Sequence, residues 1–350
     1  MNSVVTAPAP APIKSERFQK REIRWWSSLL WPMAGLGLLL LFNLIFTQGF
    51  FHIEIRDGHL YGVLIDILNH GSEVMLLSLG MTVVIATAGV DLSVGAVMAI
   101  AGAVAAQLIN RAGVPFPVVI GASLGLAVVA GCWNGLLVAA FDVQPIVATL
   151  ILMVAGRGVA QLITGGQIIT FNDARLSFIG NGSVLGLPFP VWLSFGMLGL
   201  TALVTRKTAI GLFIESVGDN QTASTYSGVR AGRIKFLVYA FAGLCSGLAG
   251  LVACSNIKCA DANHAGLFLE LDAILAVVIG GTSLMGGRFY LAGAIVGALF
   301  IQTLTTTMYM QNVSADIAPV PKALAVLIVC LLQSPVFRRK VMAPFRRKRA

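Results

Sequence analysis

The chain reads as an all-α polytopic membrane protein, about ten transmembrane helices with glycine-rich breaks, and three observations predict that class. Of its 350 residues 57% are hydrophobic and only 11% charged, whereas soluble globular proteins carry about 25% charged residues. Apolar stretches near the roughly 20 residues that cross a hydrocarbon core of about 30 Å recur along its length. The 24 Lys and Arg residues are unevenly placed between those stretches.

Taken in order, residues 1–28 form a basic N-terminal segment, with a low-complexity run at Ala7-Pro8-Ala9-Pro10-Ala11-Pro12 that has too little apolar surface to fold alone. The apolar region that follows is long enough to span and shows no small-residue cleavage pattern, so it reads as a first helix and not as a cleavable leader. The membrane domain covers 29–334. Ten stretches can be marked off within it: 29–47, 70–88, 94–110, 117–140, 145–164, 189–205, 234–254, 271–285, 290–310 and 320–334. Residues 335–350 form a basic tail.

Ten crossings put both termini on one side. Lys14, Arg17, Lys20, Arg21, Arg24, the loop residues Arg206, Lys207, Arg230, Arg233 and Lys235, then Arg288 and seven residues of the tail share that side. Arg56, Arg111, Arg175, Lys258 and Lys322 fall on the other, with Arg157 inside a stretch. Basic residues favour the cytoplasmic side, so both termini are expected there, in the bacterial inner membrane. The net charge of +9 then needs no nucleic acid: a basic tail directly after a membrane helix meets anionic lipid headgroups.

The least expected residue is Asp91, in Gly89-Val90-Asp91-Leu92-Ser93-Val94-Gly95, an apolar run broken by one carboxylate, two glycines and a serine. A carboxylate mid-membrane costs about 2.5–3.5 kcal/mol on insertion scales, so it persists where backbone or water satisfies it. A break between two helices does so, with Gly89, Asp91, Ser93 and Gly95 as its residues. The other polar residues of the apolar stretches and the turn joining two of them are Asn134, Asp142, Gln144, Thr149, Arg157, Gln161 and Gln302, each either interhelical glue or pathway lining. Asn134, Gln144, Thr149 and Arg157 could line a pathway from two adjacent helices and the turn between them.

Thirty-eight glycines allow close helix approach, as along Gly121, Gly125, Gly131 and Gly135. A faint internal echo joins Val83-Val84-Ile85, followed by Gly102-Ala103, to Val277-Val278-Ile279, followed by Gly297-Ala298. Transporters are often built from repeats with interrupted helices in matching places.

Catalytic chemistry finds no support. Gly280-Gly281-Thr282-Ser283-Leu284-Met285-Gly286-Gly287 looks like a phosphate cradle, but no lysine follows in the required place, so it reads as a glycine-permitted break. No nucleophile elbow or metal-ligand spacing occurs, and the chain is not expected to be an enzyme. Cys132, Cys245 and Cys330 lie in apolar stretches, while Cys254 and Cys259 are close enough in sequence to pair. His52, His59, His70 and His264 are scattered over loops and a helix end.

The longest loop on the basic side, 206–233, is patterned. Asp219 or Asn220 can cap a short helix and Gly228 can end it in a left-handed conformation, giving a capped helix of about two turns at the membrane surface.

Four ordered motifs now carry a resemblance: Gly89 to Gly95, Gln144-Pro145-Ile146-Val147-Ala148-Thr149-Leu150, Gly211 through Gly218-Asp219-Asn220 to Gly228-Val229, and Glu270 to Gly287. Together they resemble the ribose-type sugar permeases of bacterial ATP-binding-cassette importers over roughly residues 20 to 335, with Ile151 to Thr164 and Gly266 to Asp272 most similar to permeases for galactofuranose. The resemblance implies a subunit that forms half of a monosaccharide pathway by alternating access and pairs with a second permease of the same family. It also implies docking on a cytoplasmic ATP-binding subunit and receipt of sugar from a periplasmic binding protein. ATP and Mg would be bound by that ATPase and no cofactor by this chain. Coupling would pass through Gly211, Gly218, Asp219, Asn220, Ala223 and Gly228. The sequence departs from the family at Thr222, where a second alanine is usual beside Ala223, and at Tyr226, where a small or basic residue is usual. An ion-coupled secondary transporter of a small polar solute stays open as the other reading, with Asp91 as its coupling carboxylate.

Overall fold

The computed structural model describes residues 25–56, 59–111, 113–314, 317 and 319–333. The basic N-terminal segment before Trp25 and the tail from residue 334 onward lie outside the described residues.

Among the described residues thirteen helices follow one another: α1 (Trp25–Phe46), α2 (Val63–Ala86), α3 (Val94–Ile109), α4 (Phe116–Ala139), α5 (Pro145–Thr164), α6 (Ala174–Asn181), α7 (Phe189–Lys207), α8 (Ile210–Asp219), α9 (Gln221–Tyr226), α10 (Ala231–Ile257), α11 (Leu269–Ile279), α12 (Leu291–Met310) and α13 (Pro319–Gln333). Six short strands, β1 (Glu54–Arg56), β2 (His59–Tyr61), β3 (Ile169–Thr170), β4 (Ser183–Val184), β5 (Leu187–Pro188) and β6 (Cys259–Ala260), pair antiparallel as β1–β2, β3–β6 and β4–β5.

Each of the ten predicted stretches falls on a helix, and seven of these helices are long and apolar enough to cross a membrane. The exceptions are α3 with 16 residues, α11 with 11 and α13 with 15. Two boundaries differ from the sequence reading. The stretch expected from 70 begins at Val63, because Asp66 and His70 interrupt the apolar pattern of its first turns without interrupting the helix. The stretch expected over 271–285 ends at Ile279, since Gly281 adopts φ +90 and turns the chain away from the helix.

The core forms around α2, α3 and α10. Every residue of α3 from Val94 to Ala106 is buried, and α10 packs against α2, α3 and α4. Backbone approach makes this possible. A Cβ on Gly131 would strike the carbonyl of Tyr239, one on Gly243 the carbonyl of Ala127, and one on Gly250 the carbonyl of Met98. In lipid such packing, and not hydrophobicity, holds helices together. Of the glycines expected on one close-packed face of α4, Gly131 and Gly135 meet α10, whereas Gly121 and Gly125 face open space, so the close face covers only the second half of the helix.

At one end of the bundle α8 and α9 fill the 206–233 loop, and at the other the strand pairs and α6 cover the helix ends. There Asp173 caps α6, accepting from the backbone N–H groups of Arg175 and Leu176. The Arg175 side chain hydrogen-bonds the same carboxyl and holds it below the usual carboxylate range. Among the described residues Cys254 and Cys259 are free thiols, so the pairing allowed by their spacing is absent. α1 lies at the periphery and is tied to α12 by Asn43, whose Nδ2 donates to Thr307 Oγ1 at 2.8 Å.

A β-branched side chain at Gly243 forces α10 off α4. Overpacking of this kind costs about 1–3 kcal/mol, so Gly243→Val is expected to lower the yield of monodisperse protein in detergent severalfold. Gly121→Val should leave that yield unchanged on the same size-exclusion assay.

Candidate functional site

The chain leaves α2 through Thr87 and Ala88, the latter at φ 59, and enters α3 at Ser93, the N-cap residue. Gly89 has no room for a Cβ, which would lie 2.6 Å from the Tyr239 hydroxyl. Asp91, 2% exposed, turns back on the chain so that one carboxylate oxygen accepts from Ser93 N at 2.9 Å and Ser93 Oγ at 2.6 Å. Asn134 of α4, fully buried, donates to Ser93 Oγ at 2.8 Å. Thr149 of α5, also fully buried, donates to the Val90 carbonyl at 3.4 Å and to its own helix at Pro145 O at 3.0 Å. The break is thus a polar clamp joining α2, α3, α4 and α5, and it satisfies the carboxylate that the sequence made conspicuous.

The four residues expected along a pathway therefore separate. Asn134 and Thr149 belong to the clamp, with their side chains enclosed by it and not set along an open wall. Gln144 is exposed at the N-cap of α5 and makes no side-chain capping bond. Arg157 reaches instead into the segment after α10, where its guanidinium donates to the carbonyls of Ala262, at 3.1 Å, and of Ala265.

That segment is the feature the sequence reading missed. Ala260 clusters with Ala105 and Ala106 near the far end of α3, Ala262 with Ala99 and Ala103, and Gly266 packs on Gly95 in its first turn. Some ten residues of α3 separate those contacts, about 15 Å at 1.5 Å per residue. The chain thus re-enters the bundle before α11 begins. Irregular backbone at membrane depth is tolerated where protein or a water-filled cavity satisfies it, and Arg157 supplies that satisfaction here.

Two further carboxylates open α11. Glu270 is 3% exposed, lies against Gly95 and is within electrostatic reach of Arg157. Asp272 is 8% exposed and accepts from Lys322 Nζ at 2.8 and 3.0 Å, tying α13 to α11. Acidic residues in a first helical turn are stabilised by the helix dipole. The sequence places Glu270 just before and Asp272 inside the stretch expected from 271, at the head of an apolar run.

At the other end α8 sits directly on the break. A Cβ on Gly218 would overlap the Ala86 carbonyl, and one on Gly286 would lie 2.7 Å from the Gly218 carbonyl. Gly287 N donates to Ala86 O at 2.9 Å. Gly211 packs against Thr205 O where α8 begins. Asn220, not Asp219, is the cap: its Oδ1 accepts from Ala223 N at 2.9 Å. After α9 the chain turns at Gly228, φ +88, with Gly228 N bonded to Thr225 O. All six residues of α9 except Ser224 are exposed, Tyr226 at 89%. The short tip is therefore largely exposed and tied to α10 by Lys235 Nζ, which donates to Gln221 Oε1 at 2.7 Å, while α8 at its base touches backbone at the break.

Residues 63–332 match the family described as the permease component of a branched-chain amino acid transport system. The chain belongs to that permease family. It is 52% identical over 318 residues, 91% of this chain and 93% of the relative, to the galactofuranose transporter permease YtfT of Escherichia coli. It is 41% identical over 331 residues, 93% of the chain and 92% of the relative, to the fructose import permease FruF of Bifidobacterium longum. With the ribose import permease RbsC of Haemophilus influenzae it shares 37% over 282 residues, covering 79% of the chain and 87% of the relative. No solved structure matches the chain.

If Asn134 serves the clamp, Asn134→Leu removes an interhelical hydrogen bond worth on the order of 0.6 kcal/mol and leaves Ser93 and Asp91 less well satisfied. The amount of folded permease should fall, while uptake divided by folded complex stays near the wild-type value.

Proposed function

We propose that this permease is the membrane subunit of an ATP-driven importer for a monosaccharide, with a furanose sugar such as galactofuranose as its substrate. The observation that carries this reading is the 52% identity to a galactofuranose permease across nearly the full length of both chains, with fructose and ribose permeases among the other relatives. Two such subunits enclose the pathway, a periplasmic binding protein delivers the sugar, and a cytoplasmic ATPase holding ATP and Mg drives it. Affinity then resides mainly in the binding protein, and the pathway holds its cargo weakly.

In this reading the three shorter helices complete ten crossings. The α8–α9 end faces the cytoplasm with both termini, and the strand-covered end faces the periplasm. Exposed Tyr226 and Leu185, 89% and 86% exposed, report the two sides. Leu185→Cys should react with a membrane-impermeant thiol reagent in cells with a permeabilised outer membrane, and Tyr226→Cys should react only after lysis. The reverse pattern inverts the topology.

Coupling follows from the contact of Gly218 with Ala86 and Gly287. ATPase motion applied at α9 reaches the α2 terminus through backbone, with no flexible side chain between. Gly218→Ala forces these groups apart, and sugar uptake should drop at least tenfold while the ATPase subunit still copurifies and hydrolyses ATP. An ion-coupled carrier would instead accumulate sugar from a gradient alone, with no ATPase attached. Such uptake by the purified permease sinks the importer reading.

A further inference from the structure

The turns between β6 and α11 combine features that the helix packing does not require. Asp261, one residue beyond β6, accepts at Oδ1 from the backbone N–H of Asn263 at 2.9 Å and of His264 at 3.3 Å. Its other oxygen lies 2.7 Å from His264 Nδ1. A carboxylate accepts there, so a proton sits on Nδ1 and Nε2 is left exposed for a further hydrogen bond. Gln161, in the last turn of α5, donates through Nε2 to Asn263 Oδ1 at 2.7 Å.

That pairing uses one donor and one acceptor and leaves the rest. Among the described residues the Asn263 amide N–H groups, the Gln161 carbonyl and His264 Nε2 have no protein partner, and all three side chains are exposed. Alternation along the segment is consistent: Ala262, Gly266 and Glu270 are buried, whereas Asn263, His264, Leu267 and Phe268 are exposed, Phe268 at 56%. Beside this turn the exposed face of α5 is apolar, with Val154, Val159 and Leu162. Amides and an imidazole turned toward lipid would lose their hydrogen bonds, so the turn faces water or a polar cargo. The turn is also held from behind, because Arg157 bonds two of its carbonyls and Gly266 lies against Gly95.

We propose that Asn263 and His264 of the Asp261–Phe268 turn, with Gln161, form a sugar-receiving site on the periplasmic side of the pathway. Asn263 donates to ring hydroxyls, Gln161 accepts from them, and His264 Nε2 adds a further hydrogen-bonding group. Neighbouring hydroxyls on a sugar ring each donate and accept, which matches side-by-side donors and acceptors on neutral groups. No fixed charge is directed at the cargo, since Asp261 is engaged by the turn and Arg157 by carbonyls. The site rests on the sugar-importer reading and adds to it which residues meet the cargo first.

The test uses the complete importer in proteoliposomes, with its binding protein and ATPase, offered galactofuranose, ribose and fructose in turn. Asn263→Leu, Gln161→Leu and His264→Ala are each expected to lower uptake per folded permease at least fivefold, while binding-protein-stimulated ATP hydrolysis stays within twofold of wild type. Uptake within twofold of wild type in all three variants overturns the site. So does an equal loss of uptake and hydrolysis, which makes the turn a folding or coupling element. In a background without other cysteines, Asn263→Cys should react with an impermeant thiol reagent from the periplasmic side, more slowly with saturating sugar-loaded binding protein than with empty binding protein. Absence of labelling, or spontaneous disulfide-linked permease dimers through that thiol, assigns the turn to a buried contact and also overturns the site. A wild-type importer that carries none of the three sugars overturns the sugar reading and the ligand class together, and is told apart from the other failures by the wild-type lane alone.

Discussion

Everything near the centre of this permease depends on keeping one carboxylate inside an apolar bundle. Asp91 is held by donors from Ser93, which is in turn held by Asn134, while Thr149 takes the carbonyl of Val90. A continuous helix from α2 into α3 would satisfy its own backbone but would leave the carboxylate to lipid or to an apolar neighbour. Breaking the helix frees backbone groups for which the carboxylate becomes the acceptor. Two costs offset each other, and the result is a junction at which four helices share a hydrogen-bonded centre. Such a centre has few alternative arrangements, so movement of any one of these helices is felt by the others.

The position of α8 follows from the same junction. Side chains at Gly218 or Gly286 would hold the surface helix away from the α2 terminus, and their absence brings three backbones together at Ala86, Gly218 and Gly287. Backbone contacts deform less than contacts made through long side chains. The geometry therefore suits a part that must transmit displacement more than one that must only anchor a loop. The cap at Asn220 and the turn at Gly228 fix the ends of α9, and all its residues but Ser224 are exposed.

What could be read from the sequence follows the range of the interactions concerned. The helices of about 20 residues, the break at Gly89 to Gly95 and the caps of the 206–233 loop are local patterns, and they are where the sequence places them. Gly121 and Asn134 show the limit. Both lie on one helix in a plausible pattern, but only packing against α10, α2 and α3 shows that Gly121 faces open space and that Asn134 is enclosed. Arg157 was conspicuous as an intramembrane cation, yet its partners are carbonyls more than 100 residues away, which no local pattern carries. Asp261 to Phe268 looked like an ordinary loop because short polar turns have the same composition at the surface and in a re-entrant segment.

The faint echo between Val83-Val84-Ile85 and Val277-Val278-Ile279 gains a physical meaning from the contact between their breaks. α2 and α11 each end in left-handed residues, Ala88 and Gly281, and each is followed by a second helix, α3 or α12. The two breaks meet where Gly287 N donates to Ala86 O. Nine residues further along, in the first turn of α3, the same pairs meet again, since Gly95 lies against Gly266 and Glu270, which lead into α11. The surface helix thus presses on one contact between the interrupted pairs, and the re-entrant turn rests on the other. A displacement at Gly218 has a packed route through α2, α3 and α11 to the turn that Arg157 holds.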